Sequence, residues 1–209
     1  IKDENWSSGN QNIIEEYKDK LGQLVLKRTY VGSDTVETHY VYDVLGLLRY
    51  VISPVASDSI KSGSYSFPLS NKSSIIQNLC YFYKYDARKR MIEKQLPGSE
   101  PVWMVYDERD RLVLSQDGNI RKQRTPNNKT WMFTKYDHLN RPVMTGEYIH
   151  TDTVLCQKTM QTYIDNQSYS AYESYDEAAG SIFRYNNESF PEVYSDDVYT
   201  VTYYDNYYF

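Results

Sequence analysis

Cysteine, histidine and long apolar runs are all scarce in this 209-residue chain, and each scarcity removes a class of function. The two cysteines, Cys80 and Cys156, match no metal or redox spacing and are too few for a disulfide framework, so no bridge between them is expected. The three histidines, His39, His138 and His150, lie far apart, and none falls in an HExxH or comparable metal spacing. No Gly-x-Ser-x-Gly elbow or glycine-rich phosphate loop occurs, and no cofactor motif is read. No stretch approaches the roughly 18 apolar residues that a membrane-spanning helix needs. Positive charge is in deficit: 23 Lys and Arg against 28 Asp and Glu give a net charge of −5. With no basic stripe to neutralise phosphates, nucleic acid is not an expected partner. The opening "IKDENWSSGN" lacks the charged-then-apolar pattern of a signal peptide, and the chain reads as an excised piece.

In excess is tyrosine: 23 residues, against 6 Phe and 3 Trp. Tyrosine favours strands and suits surfaces with one apolar and one wet side. Its spread along the chain argues against disorder. Five Asn-x-Ser/Thr sequons, at Asn5, Asn71, Asn128, Asn166 and Asn187, carry no weight in a chain so rich in these residues.

The tyrosines are organised by an internal repeat, visible where "YKYDARKRMIEKQLPG" is followed by "MVYDERDRLVLSQDGN". Aligned on aspartate, the copies are Asp19 (KDKLGQL), Asp43 (YDVLGLL), Asp86 (YDARKRM), Asp107 (YDERDRL) and Asp137 (YDHLNRP). Asp205 opens a sixth. The intervals of 24, 43, 21, 30 and 68 residues give a unit just over twenty residues long, with insertions in the second and last gaps.

Each copy predicts a tight turn. The aspartate can accept the backbone N–H two residues on. Three residues after it stand Gly22, Gly46, Lys89, Asp110 and Asn140. All but Lys89 tolerate positive φ at low cost, which suits a three-residue hairpin loop with a bulge. At Lys89 strain or a different turn is expected. The Tyr before each aspartate should end one strand, and Leu24, Leu48, Met91 or Leu112 should begin the next. Alternation through Tyr81–Tyr85 and Trp103–Tyr106 agrees with strands. "LPGSEP" (96–101) and Asp117-Gly118 mark further turns. Two stretches break the pattern: 71–80, with Ile75, Ile76 and Leu79 on one helical face, and 151–166, a helix capped by Thr151 or Asp152. Residues 166–181 read as a polar loop, and Tyr175-Asp176 within them as a chance match.

Tyr-Asp-x-x-Gly/Asn-Arg-Leu in units of about twenty-one residues resembles the YD repeat of the RHS family. Phrases such as "KLGQLVLKRTYVG" and "TKYDHLNRPVMTGEY" are similar to Bacteroidetes-type, cell-wall-associated RHS-repeat proteins. The match runs from about residue 15 to the C-terminus and is weakest over 151–198. It implies β-sheet ribbons that spiral into hollow shells, enclosing a toxic C-terminal domain in bacterial toxins and serving adhesion in teneurins. The C-terminal core motif and variable tip of the toxins are absent, so toxin chemistry does not carry over. The repeat residues do: Tyr42, Asp43, Gly46; Tyr85, Asp86, Arg90; Tyr106, Asp107, Arg111; Tyr136, Asp137, Asn140, Arg141. The first copy departs from the pattern, with Lys18 for Tyr and Gln23 for Arg.

Paired carboxylates such as Asp107 and Asp110, or Asp196 and Asp197, could be offered as glycosidase machinery. Recurrence at one turn position favours structure instead, because a scaffold needs repetition and a catalytic site does not. Arg90, Arg111 and Arg141 are expected to pair with carboxylates or stack on tyrosines of neighbouring repeats rather than bind a ligand. Trp6, Trp103 and Trp131 could stack on sugars, but the latter two are expected inside strands.

The expected fold is therefore all-β with minor helices: a curved antiparallel sheet of successive YD-repeat hairpins, part of a β-shell or solenoid. The expected organisation is an N-terminal segment (1–14), a YD-repeat region (15–150), an inserted helix and loop (151–195) and the start of a truncated repeat (196–209). The expected role is non-catalytic and structural, without cofactor or metal, in an extracellular or cell-surface protein. Its partners would be other repeats and a C-terminal domain of the same polypeptide. The alternative is an adhesion module that binds a surface glycan or protein.

Overall fold

The computed structural model describes residues 9, 13–62, 74–123, 130–150, 156–176 and 181–204. Asp205, Trp6, and the sequons at Asn5, Asn71 and Asn128 lie outside them. The chain divides into two compact units, Ile1–Pro101 and Val102–Phe209.

The first unit holds six strands: β1 (Ile14–Lys18), β2 (Leu24–Val31), β3 (Asp34–Tyr42), β4 (Leu48–Ile52), β5 (Cys80–Tyr85) and β6 (Met91–Gln95). Each pairs antiparallel with the next in sequence. The second unit holds β7 (Val102–Tyr106), β8 (Leu112–Gln116), β9 (Thr130–Tyr136), β10 (Pro142–Ile149) and β11 (Val198–Val201), again each paired antiparallel with its successor. The fold is all-β, an antiparallel sheet of successive hairpins. Its strand ends fall on the repeat: β3, β5, β7 and β9 finish on the Tyr of a Tyr-Asp pair, and β2, β4, β6 and β8 start five residues after an aspartate. A register shift follows at each such hairpin, as a bulged three-residue loop requires.

Among the described residues, four short α-helices interrupt the sheet. α1 (Pro54–Lys61) was not foreseen, although Ser53 caps the Ala56 N–H and Pro54 opens the first turn. α2 (Ser74–Leu79) lies in the expected 71–80 stretch and buries Ile75 and Ile76. With Ala56 and Cys80 they form a small core in which burial pushes the Cys80 thiol pKa up. At Asp117-Gly118 the structure shows not a simple turn but the start of α3 (Gly118–Gln123), where Asp117 Oδ1 accepts the Ile120 N–H at 2.8 Å. α4 (Gln157–Asp165) starts later than expected. Its N-cap is Cys156, without a side-chain cap, and Thr151 and Asp152 lie outside the described residues. Neither Cys80 nor Cys156 is in a disulfide.

The larger core belongs to the second unit. Val105, Leu114, Trp131, Phe133, Val143 and Met144 supply its strand side, and Met160 and Ile164 on α4 cover it. The helix also hydrogen-bonds strand backbone: Gln161 accepts the Tyr106 N–H at 3.0 Å and donates to its carbonyl at 2.7 Å, and Gln157 donates to Met104 O at 2.8 Å. Two amide side chains thus take the place of a neighbouring strand along part of β7. The stretch read as a polar loop is irregular but packed. Short bridges Ser170–Ser189 and Tyr175–Tyr185 tie it together, and the nearby Tyr185, Phe190 and Val193 join the core. Its aromatics follow neither helix nor strand period, so periodicity could not disclose the packing.

Candidate functional site

Five copies of one turn give the sequence-derived residues their places. The aspartate N–H donates to the carbonyl four residues on, and the N–H three residues on donates back to the aspartate carbonyl, in every copy. Oδ1 of Asp19, Asp43, Asp86, Asp107 and Asp137 accepts the N–H groups two and four residues later, at 2.8–3.0 Å. The second of these bonds was not foreseen from the Asx-turn pattern. The residues three after the aspartate all lie in the left-handed region: Gly22 at φ 82°, Gly46 at 77°, Lys89 at 65°, Asp110 at 62° and Asn140 at 62°. The Lys89 turn is therefore not of a different kind. A non-glycine side chain is held at positive φ there by the same bonds as its counterparts.

The other carboxylate oxygen meets an arginine four residues on. Asp86 Oδ2–Arg90 Nε is 2.6 Å, Asp107 Oδ2–Arg111 Nε 2.7 Å and Asp137 Oδ2–Arg141 Nε 2.6 Å. In the second copy Leu47 occupies that position, and Arg49 reaches Asp43 from two residues further, at 3.7 Å. Burial alone would raise the Asp86 and Asp137 pKa values. The backbone N–H and guanidinium of the partner arginine outweigh it, and both carboxyls titrate below the usual range. A general acid needs the opposite shift. The turn carboxylates are thus bound to donors already in place, and their chemistry is that of capped loops, ion-paired at Asp43, Asp86, Asp107 and Asp137.

Within each unit the same side chains reach the next repeat. Tyr42 donates to Leu24 O at 3.1 Å, Tyr136 to Leu112 O at 2.8 Å and Tyr204 to Pro142 O at 3.0 Å. Each acceptor is the fifth residue after the preceding repeat's aspartate. Position four behaves alike: Gln23 Nε2 donates to Gly46 O at 3.0 Å, and Arg111 Nη1 to Asn140 Oδ1 at 3.1 Å. The Arg111 guanidinium lies 4.9 Å from the Tyr136 ring centre, and Arg141 lies 4.2 Å from that of Tyr204. Arg111 also donates to Ala171 O, which fastens the irregular segment to the ladder.

Trp103 and Trp131 lie in strands with ring centres 6.3 Å apart, Trp131 fully buried and Arg121 4.1 Å above Trp103. His138 stands on its turn beside the Tyr172 ring. Among the described residues, no group of three or more His, Cys, Asp or Glu side chains is placed to hold a metal ion.

One cleft of about 560 Å³ lies in the second unit, at the Asp137 turn. Tyr175, Tyr185, Tyr203 and Tyr204 line it with Arg141 and Arg184. Tyr185 and Tyr203 are parallel within 11°, their ring centres 5.9 Å apart, and Arg184 donates to the Tyr175 hydroxyl at 3.0 Å. Desolvation raises the Tyr185 phenol pKa to about 12, so its ring stays neutral and donates to Thr202 O. Sequence reasoning missed this cleft, because Tyr175 and Tyr185 come from the segment without a period.

No family model and no curated protein matches the chain. Among solved structures it is similar to TcdB2-TccC3 (13% identity, TM-score 0.44) and to TcdB2-TccC3 without the hypervariable C-terminal region (14%, 0.45). It is also similar to the Photorhabdus luminescens Tc holotoxin pore (14%, 0.44). Each match covers 66% of this chain and 6% of the matched chain, so the chain spans a small fraction of the length of those proteins.

Proposed function

We propose that this chain is a non-catalytic structural segment of a secreted or surface RHS-repeat protein of the Bacteroidetes type, building a β-shell that encloses or displays a C-terminal domain. The observation that carries the reading is the ladder itself. One aspartate-centred turn occurs five times, and the Asp19 and Asp43 turns, like the Asp107 and Asp137 turns, are joined by the same tyrosine and position-four contacts. A repeat that cannot bury its own apolar face stacks on its neighbours, and such stacks serve as walls and scaffolds. The aspartates and arginines named above are turn residues in this reading, and the partners are other repeats and a C-terminal domain of the same polypeptide. Limited proteolysis of the complete parent protein tests it. A C-terminal segment that survives until the repeats are cut supports a shell. A segment trimmed at once would overturn enclosure and leave an open surface scaffold.

The tyrosine-lined cleft favours a second reading, an adhesion module that takes a surface glycan. Amphipathic rings suit the apolar faces of sugars. A saturable hit on a glycan array that is lost in Tyr203→Ala would support it, and a blank array would contradict it.

A further inference from the structure

Lys135, on β9, has a fully buried side chain, and so has its partner Glu173. Lys135 Nζ lies 2.8 Å from Glu173 Oε1 and 2.5 Å from Asn187 Oδ1. Val193 holds the asparagine amide: Nδ2 donates to Val193 O at 2.9 Å, and Oδ1 accepts the Val193 N–H at 3.4 Å. An ammonium can only donate and a backbone carbonyl only accept, so these partners fix which end of the amide faces the lysine. Glu173 is anchored in turn by the Ser189 N–H at 2.9 Å, the Ser189 hydroxyl at 2.6 Å and the Glu188 N–H at 3.3 Å. A primary amine and a carboxyl group, both fully buried, are thus held against a half-buried primary amide. Proximity of this kind converts a slow bimolecular amide exchange into an intramolecular one. Burial also favours the uncharged, nucleophilic amine: desolvation keeps the Lys135 pKa below its ordinary value although Glu173 pulls it the other way.

We propose that Lys135 and Asn187 form an intramolecular isopeptide bond, with Glu173 as the proton carrier. The Lys135 ammonium passes a proton along its hydrogen bond to Glu173. The freed lone pair then swings from the plane of Oδ1 onto Asn187 Cγ, and the Nζ–Cγ bond forms. Negative charge developing on Oδ1 meets the Val193 N–H. Glu173 gives its proton to Nδ2, the Cγ–Nδ2 bond breaks, and ammonia leaves. Glu173 takes the surplus proton from Nζ and yields it to the departing ammonia, which regenerates the carboxylate. The net change is one ammonium side chain and one primary amide giving one secondary amide and one ammonium ion. No electrons are transferred, and no co-reactant is needed. The bond would join a central strand covalently to the irregular segment, which otherwise rests on side-chain contacts and isolated bridges. Such a staple suits a wall exposed to proteases.

Intact-mass spectrometry of the folded full chain tests the proposal. The expected mass is lower than the sequence mass by one ammonia. A proteolytic digest should yield a branched species in which the Lys135 and Asn187 peptides travel together. Glu173→Gln keeps both reacting side chains and is expected to show the full mass. A wild-type chain at full sequence mass, holding only a buried ion pair, would overturn the proposal. So would an ammonia loss that maps to a linear peptide with a cyclised Asn187. Should Glu173→Gln fail to fold, the wild-type mass and digest alone decide.

Discussion

Asp137 Oδ1 accepts the Leu139 and Arg141 N–H groups while Oδ2 takes the Arg141 guanidinium, so three donors depend on one side chain. Asp137→Ala would leave them without that acceptor and should cost roughly 1–3 kcal/mol in chemical denaturation. Asp137→Asn keeps an acceptor for the backbone and loses only the ion pair, so it should cost about half as much. The pH dependence follows from the same contacts. Asp86 and Asp137 have folded-state pKa values depressed below their unfolded ones. Their stabilisation is therefore complete above the unfolded value of about 4 and is lost as pH falls through the lower folded value. Denaturation midpoints should decline steeply below about pH 4, and less steeply in Asp137→Asn; an unchanged slope would mean that the carboxylate is not coupled to folding. Lys89, held at φ 65° where its counterparts are Gly, Asp or Asn, gives a converse case. Lys89→Gly should stabilise by up to about 1 kcal/mol, read as a rise in melting temperature.

At the scale of the hairpin, turn chemistry sets register. Gly46 lies at φ 77°, and a Cβ there would also stand 3.1 Å from Gln23 Nε2. Gly46→Val should therefore destabilise by roughly 1 kcal/mol or more, and an unchanged melting temperature would contradict the turn assignment. Gly146 plays another part, where β11 joins β10. A Cβ on it would meet Asp197 O at 2.0 Å and the Phe133 ring at 2.7 Å, so Gly146→Ala should cost about 1–3 kcal/mol as β11 is displaced. Hydrogen exchange should show that loss first in Val198–Val201. The hairpins were legible in the sequence because each writes a local instruction: Tyr to end a strand (Lys18 in the first copy), Asp to cap the turn, a residue at positive φ, and an apolar residue to resume. The helices were less so. Pro54 behind Ser53 was a readable cap, but α1 has only eight residues amid strands. The start of α4 depends on packing Met160 and Ile164 onto the core and on glutamines that bond β7, which are tertiary facts. The cleft and the Lys135–Glu173–Asn187 cluster were illegible for the same reason: both are assembled from distant segments that follow no spacing rule, the three members of the cluster standing 14 to 52 residues apart.

At the scale of the whole molecule, a ladder of like turns implies stability that is summed from repeats and from the contacts between neighbours. Among the described residues the two units differ in core size: a broad apolar core backs the second, whereas the first has a small cluster and mostly half-buried strands. The first unit should therefore lean more heavily on its turns and cross-repeat hydrogen bonds. The central claim is that the recurring tyrosine, aspartate and arginine couple one repeat to the next rather than act on a ligand. A double-mutant cycle between Arg111 and Tyr136 tests it most directly, because they belong to successive repeats and meet at 4.9 Å. Arg111→Ala, Tyr136→Leu and the double variant would be compared by chemical denaturation. A coupling energy of about 0.5–1 kcal/mol is expected, whereas strictly additive losses would contradict the claim.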